Sequence, residues 1–264
     1  MFKFSENHNY LMPAHFGGYE GQPQSTTYHD VTSIIITYET DREMLEQYVP
    51  DAFEVMEPVL SISYSVNRCV DWMSGGSYRL IGLTVPVAYT HGQERIEGGY
   101  ALVVWEDKAT PIIPGREITG IPKIFANIED HHQLGDKLFT NASYDGAAFL
   151  SMELQKTKQM SPEELAFINE TFGKYNWFGW RYIPNLGKPG AALSHATLYP
   201  QEFVIKEVWA GQGQVHWQAL TVEQNATQAH IIYALSQLPI KAYRECLMTR
   251  GSSILRNDIA RQLP

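Results

Sequence analysis

The sequence has few of the features that secreted or nucleic-acid-binding proteins need. Its 264 residues include only two cysteines, Cys69 and Cys246, too few for a disulfide-stabilised secreted domain. We expect both to be buried thiols. Lys and Arg number 20 against 29 Asp and Glu, and the net charge of −9 argues against binding to a phosphate backbone. An acidic enzyme with no nucleic-acid partner is the expectation.

Long apolar runs are missing as well. One of the longest, residues 101–105, is about a quarter of the roughly 20 residues that a membrane-spanning helix needs. The first ten residues have neither the basic region nor the apolar region of a secretory signal. We therefore expect a cytoplasmic protein with no membrane partner.

The segments that remain are mostly typical of β-strands. Hydrophobic residues make up 44% of the chain, which is enough for a folded core. Short β-branched and aromatic segments predict strands at 31–38, 60–66, 80–89, 100–105, 137–140, 148–154, 191–198, 203–209 and 214–220. The Gly211-Gln212-Gly213 triplet predicts a hairpin turn between the last two. Many short strands with glycine turns favour an antiparallel sheet or barrel.

Helix signals are fewer. Asp41 precedes a predicted helix at 42–48, and Ser161 with Pro162 and Glu164 forms a predicted capping box. Weaker helical spacing occurs at 229–235 and 254–261. No repeat or linker interrupts the chain. We predict the α+β class, mainly β: a single domain over 1–264, barrel-like and antiparallel, with a few peripheral helices.

The stretch from Pro114 to Lys123 is the most informative part of the sequence. Pro122 fixes its own φ and restricts the residue before it, so the backbone aims the Lys123 side chain reproducibly. The apolar neighbours Ile121, Ile124 and Phe125 would desolvate the amine, and desolvation favours its neutral, nucleophilic form. The alternative interpretation is a surface lysine at the end of a strand.

The Gly115-Arg116-Glu117 run leading to Pro122-Lys123 resembles the active-site segment of the acetoacetate decarboxylase family. Further family landmarks follow the same order at 38–41, 57–58, 85–87, 205–211 and 238–241, so the resemblance covers most of the chain. It implies a fold of that family, a homo-oligomer, and a Schiff base on Lys123 formed without metal or organic cofactor. Acetoacetate decarboxylase is itself a known example of a lysine activated by desolvation or a neighbouring cation.

Three positions depart from the family pattern. Ile124 stands where the family has a second lysine, and Leu80 stands where it has a carboxylate. The family's arginine aligns near Val31, where His29 and Asp30 are the nearest polar residues. The loss of these three polar groups favours a reaction that some members of the superfamily perform, in which a pyruvate-like 2-oxo acid condenses with an aldehyde and water is lost. Decarboxylation of acetoacetate or another 3-oxo acid stays open as an alternative. So does a non-catalytic barrel that binds a small ligand.

Several side chains are candidates to assist Lys123. Arg116 can bind a substrate carboxylate and Glu117 can move protons, although an ion pair within the loop explains both equally well. The predicted substrate-binding residues are Arg116, Tyr64, Tyr78, Leu80 and Glu207. Packing is the alternative for the tyrosines and structural pairing for the glutamate. None of the nine histidines has metal-ligand spacing, so we expect no metal site.

Overall fold

The computed structural model describes residues 2–20 and 24–264; Met1 and residues 21–23, which the predicted domain includes, lie outside the described residues. The strands are β1 (His8–Asn9), β2 (Tyr19–Glu20), β3 (Thr26–Glu39), β4 (Phe53–Val55), β5 (Val59–Val70), β6 (Gly76–His91), β7 (Glu94–Glu106), β8 (Lys123–Phe125), β9 (Asn127–Ile128), β10 (His132–Leu134), β11 (Lys137–Tyr144), β12 (Ala147–Gln159), β13 (Lys174–Tyr175), β14 (Trp177–Pro184), β15 (Ala191–Leu198), β16 (Gln201–Trp217), β17 (Ala242–Leu255) and β18 (Arg261–Gln262). The α-helices are α1 (Arg42–Glu46), α2 (Ala109–Pro114), α3 (Pro162–Phe172) and α4 (Ala229–Ser236).

One large sheet dominates the fold, so the prediction of a mainly β protein is confirmed. Its strand order is β10-β11-β12-β16-β17-β3-β5-β6-β7-β14-β15-β18, with four short strands attached at its sides. Most neighbours are antiparallel, but β7 pairs in parallel with β8 and with β14. Within the described ranges the two end strands do not pair with each other. The sheet is therefore open and mixed, and the prediction of an antiparallel barrel is wrong.

The parallel pair has a simple cause. The chain leaves β7 at Glu106, passes through α2 and a tight turn, and re-enters the sheet at Lys123 in the same direction. A parallel neighbour requires such a crossover, whereas a hairpin reverses the chain. This crossover places Lys123 beside the end of β7.

The main hydrophobic core lies on one face of the sheet. Side chains alternate along each strand, and the inward set includes Ile34 and Ile36 on β3, Tyr64 on β5, Ile81 on β6 and Trp105 on β7. All five are completely buried. The opposite face of β5, β6 and β7 carries the residues that the candidate site uses.

Strand β16 is continuous, so the predicted hairpin turn at Gly211–Gly213 is wrong. Both glycines are needed for close packing instead. A Cβ at Gly211 would lie 2.5 Å from the carbonyl oxygen of Gln155, and a Cβ at Gly213 would lie 2.7 Å from the Sγ of Cys246. The two glycines thus allow neighbouring strands to approach β16.

Two further predictions are wrong and two are confirmed. Residues 254–261 form no helix: β17 runs to Leu255 because its residues pair with β3 and β16. Cys69 is exposed, since it has a φ of 51° where the register between β5 and β6 shifts. The α3 capping box is present, with Glu164 N donating to Ser161 Oγ at 3.2 Å, and Asp41 caps α1. No helix in the described ranges has both the length and the apolar character that crossing a membrane requires.

The packing of Trp105 yields a stability prediction. Its ring is fully buried and its Nε1 donates a 2.9 Å hydrogen bond to Gln228 Oε1. We expect Trp105→Ala to lower the free energy of unfolding by about 3–5 kcal/mol, because a large cavity and an unpaired amide remain. Urea denaturation measures the effect. Leu134→Ala, at a side chain 77% exposed, should change it by less than about 0.5 kcal/mol; equal effects of the two substitutions would contradict this account.

Candidate active site

Lys123 opens strand β8 and its amine is buried. The residue is 8% exposed. Its Nζ lies 2.8 Å from Oε1 of Glu106 and donates a 3.2 Å hydrogen bond to the carbonyl of Pro111. The amine is thus held between the end of β7 and helix α2, and the alternative of a surface lysine is wrong.

The turn between α2 and β8 is held by two hydrogen bonds to one backbone carbonyl. The carbonyl of Gly115 accepts from Thr119 Oγ1 and from the amide of Ile121, both at 2.9 Å. Gly120 closes the turn with a φ of +72°, a conformation that glycine adopts without strain. A Cβ at Gly120 would also lie 2.6 Å from Cβ of Arg181. The turn therefore depends on glycine at this position.

Glycine is required at position 115 for a different reason: it leaves space for the Lys123 side chain. Its φ of −61° suits any residue. A Cβ there would lie 2.5 Å from Cδ and 3.0 Å from Nζ of Lys123. The glycine that begins the Gly-Arg-Glu run thus leaves room for the lysine side chain.

Glu106 is the acidic neighbour that the sequence analysis missed. Its side chain is completely buried, and burial raises the pKa of its carboxyl group while the Lys123 ammonium opposes the rise. Among the described residues, no group donates a well-aligned hydrogen bond to either carboxylate oxygen. Lys123 contacts one of these oxygens without that alignment. The carboxylate therefore has accepting capacity left for a proton or for substrate.

The residues beside Glu106 share its face of the sheet. Leu80 is its direct register partner on β6, and Ser65 pairs with Leu80 from β5. One row further along, Tyr78 pairs with Asn67. Burial raises the pKa of Tyr78 well above its usual value, so its hydroxyl stays a hydrogen-bond donor. The Asn67 side chain is equally enclosed, and its Nδ2 has no hydrogen-bond partner among the described residues.

Arg116 and Glu117 lie in the turn close to Lys123. Arg116 Nη1 donates a 2.8 Å hydrogen bond to the carbonyl oxygen of Lys123, and the residue is exposed. A guanidinium has five N–H donors, so this bond leaves others for a substrate carboxylate. Glu117 is half-buried and forms no hydrogen bond or ion pair with the described part of the chain.

Two predicted binding residues lie elsewhere. Tyr64 belongs to the opposite face of the sheet, in the main core, and its hydroxyl accepts a 3.1 Å hydrogen bond from the amide of His131. Glu207 accepts a 2.6 Å hydrogen bond from Trp209 Nε1 on its own strand, β16. In the described chain neither residue forms a hydrogen bond or ion pair with Lys123. The structure therefore brings Lys123, Leu80, Tyr78 and Arg116 together but not these two.

The sequence model of the acetoacetate decarboxylase (ADC) family matches residues 11–255. The chain belongs to this family. Acetoacetate decarboxylases of Burkholderia cenocepacia and Burkholderia vietnamiensis are 38% and 30% identical to it over 184 residues, which cover 67% of this chain and 68% of each relative. Both relatives are named as decarboxylases, which are lyases, and this supports an enzymatic function for the chain.

Solved structures show the same fold. The acetoacetate decarboxylase of Legionella pneumophila superposes with a TM-score of 0.76 at 21% identity, covering 94% of this chain and 91% of that one. The enduracididine biosynthesis enzyme MppR, solved with the condensation product of pyruvate and imidazole 4-carboxaldehyde, gives 0.70 at 11% identity, covering 98% and 97%. The chain therefore has the fold that these solved structures share.

The three departures from the family pattern can now be located. Leu80 and Val31 face the same side of the sheet as Glu106, and Ile124 packs against the main core on the other side. The side-chain group closest to Nζ is an anion, Glu106. The expectation that desolvation or another cation acts on the amine therefore omitted its principal neighbour.

The space at Gly115 generates a second prediction. We expect Gly115→Ala to push the Lys123 amine out of its buried position, because the added Cβ overlaps the lysine side chain. Acetic anhydride should then acetylate Lys123 faster relative to the exposed Lys137, as measured by peptide mass mapping. Gly82→Ala is the matched control, since its Cβ meets nothing closer than 3.6 Å. Unchanged acetylation in Gly115→Ala would show that the turn absorbs the methyl group.

Proposed function

We propose that the protein is a lyase that forms a Schiff base between Lys123 and a pyruvate-like 2-oxo acid, then condenses the resulting enamine with an aldehyde and eliminates water. The observation that carries the proposal is the Lys123 amine, buried and 2.8 Å from a carboxylate that can accept its proton. Amines in such sites act as nucleophiles towards carbonyl carbons.

The chemistry follows from the Schiff base. The protonated imine withdraws electrons from the adjacent carbon, so loss of a proton there gives an enamine. The enamine carbon then attacks the aldehyde carbonyl, which forms the new carbon–carbon bond. Loss of water and hydrolysis of the imine release an unsaturated 2-oxo acid and restore the free lysine.

Arg116 supports an oxo acid as the first substrate. Its guanidinium donates a 2.8 Å hydrogen bond to the Lys123 carbonyl oxygen, and the residue is exposed. A carboxylate bound there would anchor the oxo acid beside the main chain of Lys123. Paired N–H donors suit a carboxylate because they match its two oxygens.

Polar side chains on the sheet face that carries Glu106 support condensation. The unpaired Nδ2 of Asn67 is a hydrogen-bond donor for the oxygen of a second carbonyl compound, and the protonated hydroxyl of Tyr78 lies in the same row of the sheet. Ser63 and Ser65 on the same face are small, half-buried residues with hydroxyl groups. The similarity to MppR, whose structure contains a pyruvate condensation product, agrees with this outcome.

Decarboxylation of acetoacetate or another 3-oxo acid is the second candidate. It uses the same protonated imine as an electron sink. It is favoured by the curated relatives, which are acetoacetate decarboxylases at 30–38% identity.

The Schiff base can be tested by trapping. Borohydride reduction in the presence of pyruvate should add a reduced pyruvyl group to Lys123, identified by peptide mass mapping. Lys123→Ala should abolish the adduct, since no other amine in the described chain is paired with a fully buried carboxylate. Lys137→Ala, which breaks the exposed pair with Glu153, should leave it unchanged. Absence of any adduct with pyruvate or acetoacetate would favour the non-catalytic ligand-binding alternative.

The two reactions differ in their products. With pyruvate and an aromatic aldehyde, we expect a conjugated product whose absorbance grows with time and which Lys123→Ala fails to form. Carbon dioxide release from acetoacetate should be much slower at equal substrate concentration. If carbon dioxide release is the faster reaction, decarboxylation is the function and the condensation proposal is wrong.

A further inference from the structure

We infer that Glu106 is the proton-transfer residue of the lysine reaction: it takes the proton of the Lys123 ammonium before attack and returns one to the hydroxyl that leaves as the imine forms. The inference rests on the proposed Schiff base and identifies the group that serves it. Its basis is a carboxylate that is completely buried, touches the reacting nitrogen at 2.8 Å and lacks an aligned hydrogen bond from any described residue.

The other acidic groups nearby are less suited to the role. Asp107 follows Glu106 in the chain, but its Oδ2 forms a 2.7 Å ion pair with Arg79 and its Oδ1 accepts from the Arg79 amide. The side chain of Glu117 forms no hydrogen bond or ion pair with the amine among the described residues. Tyr78 stays protonated because burial raises its pKa. Glu106 is thus the acid that touches Nζ.

Protons move across the 2.8 Å contact between Lys123 Nζ and Glu106 Oε1, and the steps balance. Transfer from the Lys123 ammonium to the Glu106 carboxylate leaves a neutral amine and a neutral acid. The amine attacks the keto carbon, the carbon–oxygen π bond opens, and one proton moves from nitrogen to oxygen to give a carbinolamine. The Glu106 acid then protonates the hydroxyl group, which leaves as water while the nitrogen lone pair forms the carbon–nitrogen double bond. The products are a protonated imine and the Glu106 carboxylate.

The surroundings favour this exchange. Moving the proton converts a buried ion pair into two neutral groups, and burial disfavours charged forms. Other charged or titratable groups around the pair lie on neighbouring elements: Asp107 and its partner Arg79 at the ends of β7 and β6, Tyr78 on β6, Tyr28 on β3, and Arg116 and Glu117 in the turn. Arg79 is committed to its aspartates, so it does not replace Lys123 as the cation at Glu106.

Glu106→Gln separates proton transfer from simple charge pairing. The amide keeps the size of the side chain but removes the anion and the proton acceptor. We expect acetic anhydride to acetylate Lys123 about 10-fold faster at neutral pH, since the amine loses the anionic neighbour that lies 2.8 Å away. We also expect trapping of pyruvate by borohydride at neutral pH to slow by about 100-fold or more. Glu153→Gln, at the exposed pair with Lys137, is the matched control and should change neither measurement.

The combination of a freer amine and a slower imine is the diagnostic result. If Glu106 only holds the ammonium, trapping in Glu106→Gln will be as fast as in the wild type or faster, and the inference is wrong. An unchanged rate of acetylation would also overturn it. If the wild-type protein traps no pyruvate while acetylation is still faster in Glu106→Gln, the Schiff base with pyruvate fails but the coupling of the two groups stands.

A double substitution provides a test by rescue. Leu80 is the direct register partner of Glu106 on the same face, so a carboxylate at position 80 would project next to position 106. Glu106→Leu should lose trapping, and Leu80→Glu combined with Glu106→Leu should recover most of the lost rate. Thermal unfolding of both variants identifies any failure to fold. A double variant that folds but recovers no trapping would count against a carboxylate as the proton-transfer group.

Discussion

The buried contact between the Lys123 amine and the Glu106 carboxylate is the interaction on which the site depends. Removing two charges from water is costly unless each compensates the other, and here the two groups meet at 2.8 Å with the lysine only 8% exposed. Either residue alone would leave an uncompensated buried charge. The fold maintains the contact through the parallel pairing of β7 with β8, which sets the lysine beside the end of the neighbouring strand.

This arrangement gives the amine a different kind of activation from that supplied by a neighbouring cation. A cation makes the ammonium unfavourable at all times, whereas a carboxylate stabilises it and is also able to remove its proton. Burial raises the pKa of Glu106, so the carboxyl group is a stronger base than an exposed glutamate. The amine and its base can then exchange one proton without a change in the net charge of the site, which suits an enclosed environment.

Much of the fold could be predicted from the sequence, because strands and capping boxes depend on local patterns. The α3 capping box needs only Ser161 and Glu164 at the right spacing, and the buried strands follow from alternation. The predictions failed where distant contacts decide. Gly211 and Gly213 indicate a turn locally, but close packing against Gln155 and Cys246 requires them in a continuous strand. Likewise, the first residues of the predicted C-terminal helix belong to β17 instead, where they pair with β3 and β16.

The site shows the same division. Lys123 was predictable because its signal is contained within ten consecutive residues, and Arg116 and Tyr78 lie close to it along the chain or on its face of the sheet. Glu106 has no such signal, because it ends an apolar strand as many solvated glutamates do. Its proximity to Lys123 arises only when the crossover pairs β8 with β7. Position-by-position matching found Leu80 where a carboxylate was expected and treated the acid as lost. In the sheet, residues 80 and 106 are direct partners on one face, so a carboxylate on either strand can reach the same region. What the chemistry requires is a carboxylate at one point in space, and two strands supply positions for it.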